Sequence, residues 1–281
     1  MGDSLEAAIV SFTTGLLFVS VIALFRKDVR SGFRQIFSAV NLKLLPSWRL
    51  GAGALGASFV AMQTYAVPIA GVALFTVASL AGQTGISLWV DHVGLAGGSR
   101  VIITKRRVIA AIITILAVVV STWDRFTISN FSVLTIVLAV FSGTWVGVQR
   151  ALNGQINSYS KASFATSLLN FITGTTFLLF LLLLRTLFTD HSVMNFTSGP
   201  WWMFLGGSIG VIYIALSAHI VQYVGVLEFT LFSVGGMLIG SLLIDIIVPT
   251  KGTIISGFLI AGILLTYLGV IANGQSRFSR K

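Results

Sequence analysis

Within the run Ser142–Gly174, SGTWVGVQRALNGQINSYSKASFATSLLNFITG, the side chains Trp145, Gln149 and Asn153 recur at every fourth position, with Ser142 about one turn earlier. On a helix this spacing puts them on one face. Two amides and an indole so aligned could wall a path for a small molecule, the amides binding polar groups and the indole covering an apolar part. The same face could instead hydrogen-bond a neighbouring helix, at about 0.6–2 kcal/mol per contact in an apolar setting. Gln63, Gln83 and Asn170 are single amides in other apolar runs and are open to either role. Glu228 and His219 are ionisable groups in otherwise apolar stretches, which makes them functional candidates by default. A carboxyl at Glu228 could exchange protons with a coupled solute, although both residues flank Gln222-Tyr223, a turn from which they could also reach water. Asp91 and Asp245 each end an apolar stretch. A carboxylate there faces the negative end of the helix macrodipole and needs a basic or hydrogen-bonding partner. Lys105 or Arg106 is expected to serve Asp91, and Lys251 to serve Asp245, in a gate or a loop anchor. Arg150 reads as a cation snorkelling to the helix end.

The elements that position these residues are apolar helices. The chain is 56% hydrophobic and 9% charged, against about 25% charged in soluble domains. Apolar runs of about 20 residues match a helix crossing ~30 Å of hydrocarbon, and the period-2 pattern of a barrel is absent. The fold class is therefore all-α integral membrane. Nine transmembrane helices are expected, at about 4–25, 50–67, 69–90, 108–123, 131–152, 163–185, 201–221, 224–247 and 253–272. Pro68 is expected to end the second, because proline restricts the residue before it and lacks a donor. The short links 67–69 and 221–224 predict tight helical hairpins. Fifteen Lys and Arg fall on one side of this arrangement and three on the other. Basic loops stay in the cytoplasm, so the C-terminus is expected inside and the N-terminus outside. The net charge of +10 then serves topology, and no nucleic-acid partner is implied.

Residues 46–91 align without gaps to 200–245 at a constant offset of 154, matching Pro46/Pro200, Trp48/Trp202, Gly53/Gly207, Gly56/Gly210, Gly71/Gly225, Ser79/Ser233, Gly82/Gly236 and Asp91/Asp245. Further upstream, Ser11-Phe12-Thr13-Thr14-Gly15 echoes Leu169–Gly174. Two domains follow: a four-helix repeat at 1–127 and a five-helix repeat at 128–281. An odd repeat inserts its copies in opposite senses, an architecture that places a substrate site near the midplane where the halves meet. The helix of Trp145, Gln149 and Asn153 has no counterpart in the first copy. An internal start, a truncation and a genuine loss all remain open as its cause.

The pattern Gly143, Gly147, Gln149, Asn153, followed by Ser160, Ala162, Ala165, Phe171 and Gly174, resembles the YdcZ-like branch of the drug/metabolite transporter superfamily. The first-half run Gly82-Gln83, Ser87, Asp91-His92, Gly94-Leu95 is similar to that branch as well. Two departures are the absent first helix and Met237-Leu238 standing where the first half has Gln83-Thr84. The resemblance implies a ten-helix fold, here minus its first helix, in the bacterial inner membrane. It also implies transport of a small metabolite or drug-like solute, with efflux as the direction expected from the superfamily.

A secondary transporter working by alternating access is the function expected. The alternative is a non-transporting scaffold or subunit completed by a partner chain. Small-residue pairs such as Ala52/Gly56, Gly206/Gly210 and Gly236/Gly240 allow close helix approach, and a homo-oligomer is open. The chain has no cysteine, which removes disulfides, thiol catalysis and thiolate metal sites. No phosphate-cradling loop, metal cluster or nucleophile triad is present, so no enzyme activity, metal or cofactor is expected. The N-terminal MGDSLEAAIV lacks the basic region of a signal peptide.

Overall fold

The structure, a computed structural model, describes residues 4–97, 100, 102–123, 133–188, 201–249 and 253–278. Ten α-helices are described: α1 Ser4–Phe25, α2 Lys27–Asn41, α3 Ala52–Ala70, α4 Val72–Val93, α5 Lys105–Thr122, α6 Val133–Ser160, α7 Ser163–Phe188, α8 Leu205–Val224, α9 Val226–Ile247 and α10 Gly257–Phe278. Short 3-10 turns precede α3 and α8, and no strand occurs among the described residues. Among the described residues six helices are long and apolar enough to cross a membrane: α1, α3 with its leading turn, α4, α6, α7 and α8. The described regular structure is all helical, and the chain has the make-up of an integral membrane protein.

Each apolar stretch forms a helix, but three local expectations fail. Residues 27–41, expected as basic loop, form α2. Its apolar positions Val29, Gly32, Ile36 and Ala39 recur at helical spacing and are buried, while Lys27, Arg30 and Arg34 are exposed. A search for continuous apolar spans passes over such a segment because it is apolar on one stripe only. Pro68 lies inside α3, and the helix runs on to Ala70. The break falls instead at Gly71, with φ 85° and ψ 157°, a conformation reserved almost entirely for glycine. Third, α6 runs to Ser160, eight residues past its expected end. Its 28 residues make it roughly 42 Å long.

The chain divides into two compact units, each drawing on both halves of the sequence: Met1–Thr64 with Ala96–Gly98 and Gln149–Tyr223, and Tyr65–Leu95 with Ser99–Val148 and Val224–Lys281. The first unit is organised on α1 against α7. Phe12 and Phe171 stack with ring centroids 5.1 Å apart, and Ala8, Ile9, Ala57, Leu178 and Val211 complete the core. The contact is reciprocal: a Cβ on Gly15 would strike the Phe171 ring, and one on Gly174 would strike the Phe12 ring. Helix α3 approaches α7 so closely that a Cβ on Gly53 would meet the Asn170 carbonyl, and α8 approaches α1 so that a Cβ on Gly207 would meet the Ser11 carbonyl. Helix α2 packs Gly32 over Ala162 and the Ser160 carbonyl.

The second unit holds two lengthwise pairs, α4 with α9 and α5 with α10. Gly262 lies against Ala117 and Ser121, and Gly269 against Ala110 and Thr114, so α5 and α10 run antiparallel. Helix α6 enters this unit along α4. Gly143 meets the Ser79 carbonyl, Gly82 the Val140 carbonyl, and Gly147 the Ile86 side chain. From Ser79 and Gly143 to Ile86 and Gly147 both numberings rise, so α4 and α6 run parallel. Within this unit the long partner of α4 is α9.

Candidate functional site

In the first unit the amides of α6 and α7 form one chain. Gln149 Nε2 donates to Asn170 Oδ1 at 2.7 Å, and Asn170 Nδ2 donates to Asn153 Oδ1. All three residues are buried, at 6% exposure or less. The Gln149 amide lies under α3, where a Cβ on Gly56 would collide with it. One turn further along α6, Asn157 Oδ1 accepts from Thr166 Oγ1 at 3.3 Å. A four-residue period on α6 therefore meets polar partners on α7 from Gln149 to Asn157. Asn157 escaped the sequence reading because α6 was expected to stop at 152. The Gln149 carbonyl and the Asn153 amide nitrogen take no part in the two amide–amide bonds. A bound molecule with one donor and one acceptor could meet the two ends of this chain.

Arg150 corrects the sequence reading. It does not snorkel but is 2% exposed. Its Nη2 donates to the Tyr213 hydroxyl, and its guanidinium carbon lies 5.7 Å from the Tyr213 ring centroid. The cause is the length of α6: with the helix end at Ser160, Arg150 is ten residues inside and too far from its terminus to escape. Burying a guanidinium is costly, and cations inside apolar helices usually mark function. The other candidates in this unit stand apart from the amide chain. Gln63 is half-buried on α3. His219 is exposed on α8 and packs edge-on against Tyr223, centroids 5.3 Å apart.

In the second unit Gln83 is fully buried on α4, and neither its amide nitrogen nor its amide oxygen has a hydrogen-bond partner among the described residues. Trp145 is half-buried and packs edge-on against Phe141, centroids 5.1 Å apart. Glu228 sits half-buried in the first turn of α9, where the positive end of the macrodipole favours a carboxylate.

The two aspartates give the clearest geometry. Gly71 and Gly225 stand at the N-cap positions of α4 and α9, and neither has a side chain to cap with. The capping oxygens arrive from elsewhere. Asp245, at the C-terminal end of α9, accepts from the Val72 and Ala73 amides that open α4, at 2.9 and 2.7 Å. Asp91, at the C-terminal end of α4, accepts from the Val226 and Leu227 amides that open α9, at 2.8 and 3.1 Å. Each helix therefore caps the other, which fixes α4 and α9 as antiparallel. A Cβ on Gly225 would stand only 3.1 Å from Asp91 Oδ2, so glycine is needed there for space as well as for φ 88°. The expected conflict with the macrodipole disappears, because each carboxylate sits at the positive end of its neighbour.

The cationic partners differ from those expected. Asp91 pairs with Arg107 at 2.6 Å, both side chains buried, and not with Lys105 or Arg106. One helical residue rotates the side chain by about 100°, and only Arg107 of the three is buried. Asp245 accepts from the Thr253 hydroxyl at 3.1 Å. Lys251 lies outside the described residues. Among the described residues no cluster of His, Cys, Asp or Glu could hold a metal ion.

A family model described as "Putative inner membrane exporter, YdcZ" matches residues 1–120 and 134–272. The chain belongs to this family. The two matched segments cover α1 to α5 and α6 to α10 respectively, but for a few residues at the ends of α5, α6 and α10, so almost every residue discussed above falls within the match. No curated protein matches the chain. A coarse function follows from family and composition together: this is a protein of the inner-membrane exporter type, with several membrane-length apolar helices.

Proposed function

We propose that the chain is a secondary transporter that exports a small metabolite or drug-like solute across the bacterial inner membrane by alternating access. It has nine spans in two inverted repeats, with the N-terminus outside and the C-terminus in the cytoplasm. The observation that carries the reading is the buried amide chain Gln149–Asn170–Asn153 in a member of an exporter family. Amides held by one another in an apolar bundle present fixed donors and acceptors to a polar solute without the desolvation penalty of fixed charge. Arg150 with Tyr213 adds a buried cationic donor for a solute that carries a carbonyl or an anionic group. Glu228 is the residue assigned to proton coupling.

The inverted duplication is supported by the reciprocity of repeat-equivalent contacts. Asp91 caps α9 as Asp245 caps α4, and Phe12 faces Gly174 as Phe171 faces Gly15. Antiparallel pairing of α4 with α9 and of α5 with α10 is what opposite insertion of two copies produces. The basic bias of the loops supports the orientation, now without Arg150, which is buried in α6.

Reconstituted proteoliposomes offered a broad panel of radiolabelled metabolites should show saturable flux for some member. Asn170→Leu should abolish that flux in protein that still inserts. A panel without saturable flux, or an Asn170→Leu variant with unchanged flux, overturns the proposal.

A further inference from the structure

Five side-chain amides are buried among the described residues: Gln83, Gln149, Asn153, Asn157 and Asn170. Four of them hydrogen-bond to a side chain on a neighbouring helix. Gln83 is the exception. It is 0% exposed, and neither its Nε2 nor its Oε1 has a partner among the described residues. The buried hydroxyls around it on α4 are already committed: Thr76, Ser79, Thr84 and Ser87 each donate to a carbonyl of their own helix. Buried polar groups are normally paired, and an unpaired one costs stability. The fold gives up stability to keep this amide.

Its depth rules out a role at the membrane surface. Gln83 is the twelfth of the 22 residues of α4, roughly 16 Å from either end, so its side chain cannot reach water past the helix ends. The mutual caps set Val72 against Asp245 and Asp91 against Val226, which puts the midpoint of the α4–α9 pair within two residues of Gln83. Helix α6 crosses the same stretch: a Cβ on Gly147 would stand 3.4 Å from the Gln83 carbonyl and 3.6 Å from Ser87 Oγ. Charge is kept away from this depth. Every Asp, Glu, Lys and Arg on α4, α5, α9 and α10 stands in the first or last turn of its helix, and residues 133–148 of α6 have none.

We infer that Gln83 is a solute-binding residue of the second unit and selects a neutral carboxamide or lactam group. A glutamine amide holds donors beside an acceptor, and a group with one of each satisfies both ends at once. An ionised group would find no counter-charge at this depth. The position agrees with the midplane sites of inverted-repeat transporters. The inference rests on the transport reading above, since an enclosed side chain meets a solute when the helices around it part.

The test uses the full chain in proteoliposomes and the saturable flux of the metabolite panel, with two competitors of similar shape. Benzamide offers donors beside an acceptor, and acetophenone offers the acceptor alone. Benzamide should inhibit the flux at a concentration at least tenfold lower than acetophenone. Gln83→Met keeps the length of the side chain and removes the amide, and methionine is the residue 154 positions on, at Met237. In SDS titration this variant should be at least as stable as the parent. It should either lose flux at least tenfold or keep it with the two competitors equal. Equal inhibition of the parent by both compounds, or none by either, overturns the inference. So does a stable variant that keeps its flux and still favours benzamide. A less stable Gln83→Met overturns it as well, by showing that the amide holds the fold together, for example through a buried water. All of these failures leave transport intact. A panel without saturable flux removes the transport reading itself, and the assignment of Gln83 falls with it.

Discussion

Asp91 and Asp245 each cap the other's partner helix through its first two backbone amides, yet their removal should have very different consequences. Asp245→Ala takes away two N–H acceptors and the contact with Thr253. The loss of an N-cap costs about 1 kcal/mol, up to ~2. Asp91→Ala takes away the same two acceptors and also leaves Arg107 buried without its counter-ion. The Nε and Nη1 of Arg107 are already buried without hydrogen-bond partners among the described residues, so nothing nearby takes over the charge. Breaking one side of a buried pair costs about 3–5 kcal/mol. The expected totals are about 4–7 kcal/mol for Asp91→Ala against about 1–2 kcal/mol for Asp245→Ala. Equilibrium unfolding in mixed micelles with a rising SDS fraction, followed by far-UV circular dichroism, measures both on one scale. Adding Arg107→Met to Asp91→Ala should recover at least half of the gap, because the stranded charge is gone and its volume is kept. Single variants that agree within about 1 kcal/mol would refute the reasoning, as would a double variant no more stable than Asp91→Ala.

Other substitutions test other contacts. Gly82→Leu should destabilise the protein by about 1–3 kcal/mol or prevent its insertion, as overpacking does. The equivalent Gly236→Leu should change stability by less than ~0.5 kcal/mol, as substitutions away from packed features do; parallel SDS titrations decide. Gly15→Ala and Gly174→Ala should each cost about 1–3 kcal/mol by pressing on the opposing phenyl ring. Both should be partly relieved by Phe171→Leu and Phe12→Leu respectively, read in the same assay. Glu228→Gln should leave the protein folded and remove the pH dependence of flux in proteoliposomes. An unchanged pH profile would discard Glu228 as the coupling group. Arg150→Gln should reduce flux of an anionic solute at least tenfold more than that of a neutral one; equal losses would assign Arg150 to structure alone.

What the sequence determined by itself was the class of molecule and its internal register. Low charge and long apolar runs leave only a membrane helix bundle as a way to satisfy the backbone, and hydropathy is a local property that can be read one window at a time. The offset of 154 that joins Asp91 to Asp245 and Gly82 to Gly236 was equally legible, because identities at a constant spacing can be counted along the chain. The face of Gln149 and Asn153 could be read from helical spacing. Their bond to Asn170 could not, since spacing orders residues within one helix and says nothing about its neighbour.

Tertiary structure decided how ends and partners were used. Arg150 looked like a snorkelling cation until α6 proved eight residues longer than its apolar run, carrying Asn157 and Gln155 along with it. Polar residues at a helix end carry no signal that separates a loop from a buried seam, so only the surface of α7 could prolong the helix. Pro68 was given the role of a stop that belongs to Gly71. α2 was missed because its apolar stripe has meaning only against Ala162 and Ala165. The aspartates changed most. Taken on its own helix, each opposes a dipole; placed on the neighbouring helix, each supports one. The sign of that interaction depends on which N-terminus lies within hydrogen-bonding distance, and such proximity between residues more than 130 positions apart exists only once the helices have packed.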